Sequence, residues 1–130
     1  LDVFPTSLAA VGGELAEDRQ LEGVDLLPYL KKTEGKPPHE SLFWRQGPNW
    51  AARSGNWKLI FAADRYWLYD LSRDVGEKNN LAGSYPEKIR QLTEQYQKWN
   101  SQNIDPAWPA LSSKTISELS VDDIPIEWVF

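Results

Sequence analysis

The chain has 130 residues, 41% hydrophobic and 25% charged, with a formal net charge of −5 and neither cysteine nor methionine. These figures exclude wholesale disorder and any disulfide or thiolate metal site, and no apolar run approaches the roughly 18 residues that span a membrane. The acids sit in the flanks: residues 1–40 carry 8 acids and 4 bases, 101–130 carry 5 and 1, and 41–100 carry 6 and 9, which argues against nucleic acid as a partner of the whole chain.

The first expected element is a short helix opened by Asp2 as cap, with Pro5 in its first turn and Gly12-Gly13 ending it. Phe4, Leu8 and Val11 fall on one side at helical spacing. Residues 14–41 read as connection, with EGVDLLPYL (Glu22 to Leu30) as an apolar anchor and KKTEGKPPHE (Lys31 to Glu40) as a polar loop. Residue 1 is Leu and no basic, apolar leader opens the chain; a fragment or a processed or truncated chain is therefore expected, without a signal peptide.

Four strands follow at Ser41–Gln46, Asn49–Arg53, Trp57–Ala62 and Tyr66–Leu71. Gly47-Pro48, Ser54-Gly55-Asn56 and Ala63-Asp64-Arg65 separate them, so an antiparallel meander is expected. Parity within each strand sets Leu42 and Trp44 against Phe43 and Arg45, Trp57, Leu59 and Phe61 against Lys58 and Ile60, and Trp67, Tyr69 and Leu71 against Tyr66, Leu68 and Asp70. Both faces carry apolar side chains, and each needs a cover. One cover is the helix PEKIRQLTEQYQKWNSQ (Pro86 to Gln102), whose Ile89, Leu92, Tyr96 and Trp99 make a stripe. The turn DVGEKNN (Asp74 to Asn80) joins the last strand to it. Residues 104–130 are expected to be extended or irregular, with at most one added edge strand. The fold class is α+β, organised as a short helix and linker (1–40), a sheet plus helix (41–103) and a tail (104–130).

The chemistry-bearing residues are sparse. No zinc, EF-hand, P-loop or dinucleotide fingerprint is present. His39, the single histidine, is either an ordinary loop residue or a donor to an anionic group at a cleft rim. Asp122-Asp123 and the pair Asp70 and Asp74 read as structural acids before they read as acid and base. Arg45 and Arg53 stand among Trp44, Trp50 and Trp57. Arg can clamp sulfate, phosphate or carboxylate and Trp can stack on a ring, or the group is cross-strand packing. The basic middle leaves room for a small anionic ligand or is simply a solvated surface.

Several motifs in one order resemble the C-terminal part of a sulfatase of the arylsulfatase type, in the alkaline phosphatase superfamily. LDVFPTSLAAVGG is similar to an Asp-x-x-Pro-Thr helix ending in Gly, and LEGVDLLPYL to a Gly-x-x-Leu-x-Pro-x-Leu segment. HESLFWRQG, WAARSGNWKLI, LYDLSRDVGEKNNLA and the helix ending in Trp99 resemble the C-terminal sheet and helix. The resemblance covers about residues 1–100, and the tail from Ile104 has no clear counterpart. It implies a sulfuric ester hydrolase whose large α/β domain carries the active site, with this smaller subdomain packed against it. It also implies calcium and a formylglycine made from Cys/Ser-x-Pro-x-Arg, both in the catalytic domain, and a sulfate-ester substrate. A periplasmic or extracellular setting rests on the resemblance alone. SYPEK (Ser84 to Lys88) ends in Lys and opens a helix, so Ser84 is dismissed as a nucleophile. No catalytic or metal position carries over, and the chain is expected to be inactive by itself. His39, Trp44 and Arg45 are the candidates for the substrate-cleft edge. The partner would be the catalytic domain, or a second copy meeting the sheet face. Two alternatives stay open: a stand-alone aromatic-rich module for anionic or sulfated carbohydrate, and a subdomain of a related phosphatase or phosphonate hydrolase.

Overall fold

A computed structural model describes residues 1–15, 18, 21–32 and 35–105, with the backbone of 113–114, 120–121, 124–125 and 128–129. It divides into two compact units, Leu1–Glu40 and Ser41–Phe130.

The first unit is built on helix α1 (Val3–Ala10) and one helical turn, α2 (Leu27–Leu30). Gly12 sits at φ +71°, a conformation that favours glycine. Gly13 N–H donates to Leu8 O at 2.9 Å and Gly12 N–H to Ala9 O at 3.1 Å, the paired bonds that close a helix in a Schellman motif. At the other end the sequence expectation is corrected. Asp2 makes no side-chain cap; its Oδ1 instead accepts the Val24 N–H at 3.0 Å. Thr6 Oγ1 accepts the Leu26 N–H at 3.0 Å and donates to Val24 O at 3.4 Å. The Asp and Thr of the first motif therefore clamp the second one, Val24 to Leu26, onto α1. Gly23 lies so close to the chain start that a Cβ there would stand 2.3 Å from Leu1 O, so only glycine fits. The expected apolar stripe is not the inward side. Pro5 is buried, while Phe4 and Val11 are 59% and 80% exposed.

The second unit is a four-stranded antiparallel sheet in the order β1 (Ser41–Gln46), β2 (Asn49–Ser54), β3 (Trp57–Ala62) and β4 (Arg65–Asp70). Pairing runs Phe43↔Ala52, Ala52↔Leu59 and Leu59↔Leu68. This row forms the middle of one face. Helix α3 (Pro86–Asn100) covers it, with Leu92 and Tyr96 buried and Ile89 and Trp99 packed alongside. Pro86 at its start, Glu87 in the first turn and Lys98 in the last suit the helix dipole.

Rings dominate this interface. Trp50 stacks on Tyr96 with centroids 4.1 Å apart and on Phe61 at 5.7 Å, and Phe43 stacks on Trp99 at 5.4 Å. The opposite face holds a second cluster of Ala62, Trp67 and Tyr69, with Ile60 and Leu71 against it. Both faces of β4 are therefore buried, as the parity expects.

The β3–β4 connection is tighter than the sequence suggests. Ala63 and Asp64 alone make the turn, at φ +46° and +56°, and β4 begins at Arg65. Two positive φ values match the twist of a two-residue hairpin even without glycine. In the tail, β5 (Ser113–Lys114) pairs with β8 (Trp128–Val129), and β6 (Ser120–Val121) with β7 (Ile124–Pro125). No edge strand from the tail joins the main sheet among the described residues. Asp122 and Asp123 lie outside the described residues.

Candidate functional site

His39 and Asp2 face each other within the first unit. His39 Nε2 lies 2.9 Å from Asp2 Oδ1 and 3.0 Å from Oδ2. The imidazole is 14% exposed. It closes the ends of the unit onto one carboxylate, which also holds Val24. The Val24 N–H, then His39, keep the Asp2 carboxyl below its ordinary 3.8. The sign follows: the depressed pKa stabilises the unit above the unfolded value, and that stability is lost as pH falls through the folded one. Hydrogen exchange at the Val24 amide should therefore accelerate as pH drops below about 4, after correction for intrinsic rates. Asp2→Asn, with no carboxylate to protonate, should flatten that dependence.

Trp44 and Arg45 lie on β1 and point to opposite faces of the sheet. Trp44 is 48% exposed. Arg45, on the α3 face, donates from Nη1 to Asn100 Oδ1 at 2.8 Å and from Nη2 to Ile104 O at 3.1 Å. Asp105 Oδ1 stands 3.4 Å from Nη1 on a side chain that is 94% exposed, so that ion pair adds little. The guanidinium fork thus pins the end of α3 and the chain after it to the first strand. Sequence reasoning placed Arg45 among the tryptophans but gave no sign of Asn100 or Ile104. Arg53, the other arginine among the tryptophans in the sequence, donates from Nε to Gly55 O at 3.3 Å within its own hairpin.

The strongest local construction is the segment after β4. Asp70 Oδ1 accepts the Ser72 N–H at 3.0 Å and the Ser72 hydroxyl at 2.6 Å. Asp74 Oδ2 accepts the Lys78 and Asn79 N–H groups, each at 2.8 Å. These bonds hold both carboxyls below the ordinary value, Asp70 first through the Ser72 hydroxyl and Asp74 first through the Asn79 N–H. Lys58 Nζ pairs with Glu77 Oε1 at 2.6 Å. Asn80 Oδ1 takes the N–H of Leu68 at 3.0 Å and of Ala82 at 2.9 Å. Asp70 and Asp74 are thus turn-forming acids, the structural role that their spacing suggests. Beside them a cleft of about 330 Å³ opens between Trp57, Asp70, Asp74, Asn79 and Tyr85.

Among the described residues no group of three or more His, Cys, Asp or Glu stands close enough to hold a metal ion. The chain has no Cys to become formylglycine. Ser84 is exposed in the turn before α3, its N–H donated to Leu81 O at 2.9 Å. No helix of the described residues is long and apolar enough to cross a membrane.

No family model matches the chain. Steryl-sulfatase of Mus musculus is 28% identical, with 71% of this chain and 20% of that protein covered. Arylsulfatase A of Homo sapiens is 34% identical, covering 71% and 24%. Among solved structures, Ps i-CgsB superposes with a TM-score of 0.68 at 25% identity, covering 82% of this chain and 25% of that one. A protein solved with its substrate D-glucosamine-2-N,6-O-disulfate gives a TM-score of 0.61 at 25% identity, covering 78% and 23%. The chain spans about a fifth to a quarter of the length of these relatives.

Proposed function

From the premise that this chain is a relative of the arylsulfatase-type sulfatases, we propose that it is the C-terminal portion of a sulfuric ester hydrolase, non-catalytic alone. Its role is to pack on an α/β catalytic domain and to shape the edge of the substrate cleft. The observation that carries this reading is the outward apolar side of α1. Leu1, Val3, Phe4 and Val11 are 59–80% exposed, although α1 is firmly tied on its other side through Asp2, Pro5 and Thr6. Apolar exposure on a well-built element marks an interaction surface. The partial match to much longer sulfatases supplies the kind of partner, their remaining polypeptide.

Calcium and formylglycine belong to that catalytic domain. Of the three cleft-edge candidates, Trp44 is the one with a half-open ring; His39 and Arg45 are engaged with Asp2 and with the end of α3. Trp44 is thus the residue to meet a sulfate ester in the full enzyme.

The 130-residue chain supplied with calcium should not hydrolyse an aryl sulfate. Turnover that disappears in Ser84→Ala would overturn the reading, because it would place the nucleophile in this chain. Reading the coding sequence ahead of Leu1 gives the second check. A Cys/Ser-x-Pro-x-Arg motif there is the expected result, and a Thr or plain Ser nucleophile would point to the phosphatase or phosphonate hydrolase alternative.

A further inference from the structure

The cleft beside the β4–α3 connection is lined by none of His39, Trp44 and Arg45. Its volume, about 330 Å³, falls at the lower end of the range for small-molecule pockets, about 300–1,000 Å³. Two of its lining residues are aromatic. Trp57 and Tyr85 meet with centroids 5.2 Å apart and planes tilted by 56°, which makes an open apolar corner. Leu81, packed against the core, continues it.

The polar groups of the cleft are held by the turn. Asp70 keeps Oδ1 on Ser72, and its Oδ2 has only the Arg73 Nε at 3.8 Å. Asp74 keeps Oδ2 on Lys78 and Asn79, and its Oδ1 makes no hydrogen bond to the described residues. Each carboxylate thus has one oxygen fixed and one available as an acceptor. Asn79 adds an amide, and Arg73, 85% exposed, adds a donor at the opening.

An aromatic corner with two oriented acceptors suits a ring with an apolar face and hydroxyls around its edge. Such a ring lays C–H groups on Trp or Tyr and donates its O–H groups to carboxylates. Arg73 at the opening and Lys88, whose Nζ stands 5.8 Å from the Trp57 ring centroid, balance the two carboxylates, so the cleft has no net charge that would draw an ionic ligand. The geometry points to a binding site for one pyranose unit of an uncharged glycan, with Trp57 and Tyr85 as the stacking surface and Asp70 and Asp74 as hydroxyl acceptors. The assignment goes beyond the proposed sulfatase role and does not depend on it.

The test is a titration of the isotopically labelled full chain with cellohexaose, whose all-equatorial rings present the required faces. The Trp57 indole and Asn79 side-chain resonances should shift saturably, with a Kd of about 1 mM. Tyr85 is 44% exposed, so its replacement should leave the fold intact. Tyr85→Phe should bind as the parent does, and Tyr85→Ala should bind about tenfold more weakly with an otherwise unchanged spectrum. Absence of a saturable shift at Trp57, or undiminished binding by Tyr85→Ala, would overturn the site. Neither result bears on whether the chain completes a sulfatase.

Discussion

Leu59→Ala is expected to remove about 3–5 kcal/mol of stability from the sheet-and-helix unit. Leu59 is fully buried in the middle of the cross-strand row, between Ala52 and Leu68 and under the helix that carries Leu92 and Tyr96. Its neighbours cannot collapse into the vacated space. Ala52 is already small, and the surrounding rings are fixed by one another: Trp50 against Tyr96, Phe61 and Tyr66. A domain at the lower end of the usual range, about 5 kcal/mol in total, would then be unfolded or close to it at 37 °C. Urea titration followed by tryptophan fluorescence reads the change as a lower midpoint with an unaltered slope. A loss below about 1 kcal/mol would show that the helix does not seat on this row. Leu59→Val separates volume from position, since it should cost much less.

The same packing explains what the sequence disclosed and what it withheld. Strand parity was legible because the side-chain period of two is fixed by the backbone, whereas the register that joins Phe43, Leu59 and Leu68 into one row is set by the pairing between strands. The stripe of α3 was legible for the parallel reason, a period of 3.6. Turn chemistry was less so. Ala63-Asp64 carries no glycine or asparagine, so nothing local announces two positive φ values, and the strand was expected to start one residue later. Asp2 looked like a cap because Asp before an apolar run usually is one. Its actual partners, Val24 and His39, lie 22 and 37 residues away, beyond the reach of local pattern. The fork of Arg45 on Asn100 and the corner between Trp57 and Tyr85 are hidden for the same reason. Each joins the sheet to residues more than 25 positions on, and only the fold brings them together. The outward face of α1 is the reverse case. Its spacing gave a stripe but not the direction in which the stripe points, because direction is set by the Asp2 and Thr6 clamp on the other side.

Asn80→Leu should be the most damaging polar substitution, costing about 2–4 kcal/mol. β4 is an edge strand of the sheet, and such an edge leaves backbone groups unpaired unless something meets them. Here the side chain of Asn80 does so. Its Oδ1 accepts the Leu68 and Ala82 N–H groups, its Nδ2 donates to Tyr66 O at 3.3 Å, and the next residue donates its N–H to Leu68 O at 2.8 Å. One amide thus serves as a short extra strand, and it sets the chain on course for α3. Leucine of similar size leaves the Leu68 N–H without an acceptor beside a fully buried side chain. Asn80→Asp isolates the acceptor function. The carboxylate still takes both N–H groups but cannot donate to Tyr66 O. Two N–H donors would depress its pKa below the ordinary aspartate value, so the variant should be nearly as stable as the parent at neutral pH. Its added stability should vanish as pH falls through that depressed value, a dependence that the parent amide at this position does not have. Thermal melts of the three proteins at neutral pH and near pH 3 separate the cases. If Asn80→Leu melts within a degree or two of the parent, the edge of β4 is not held by this amide.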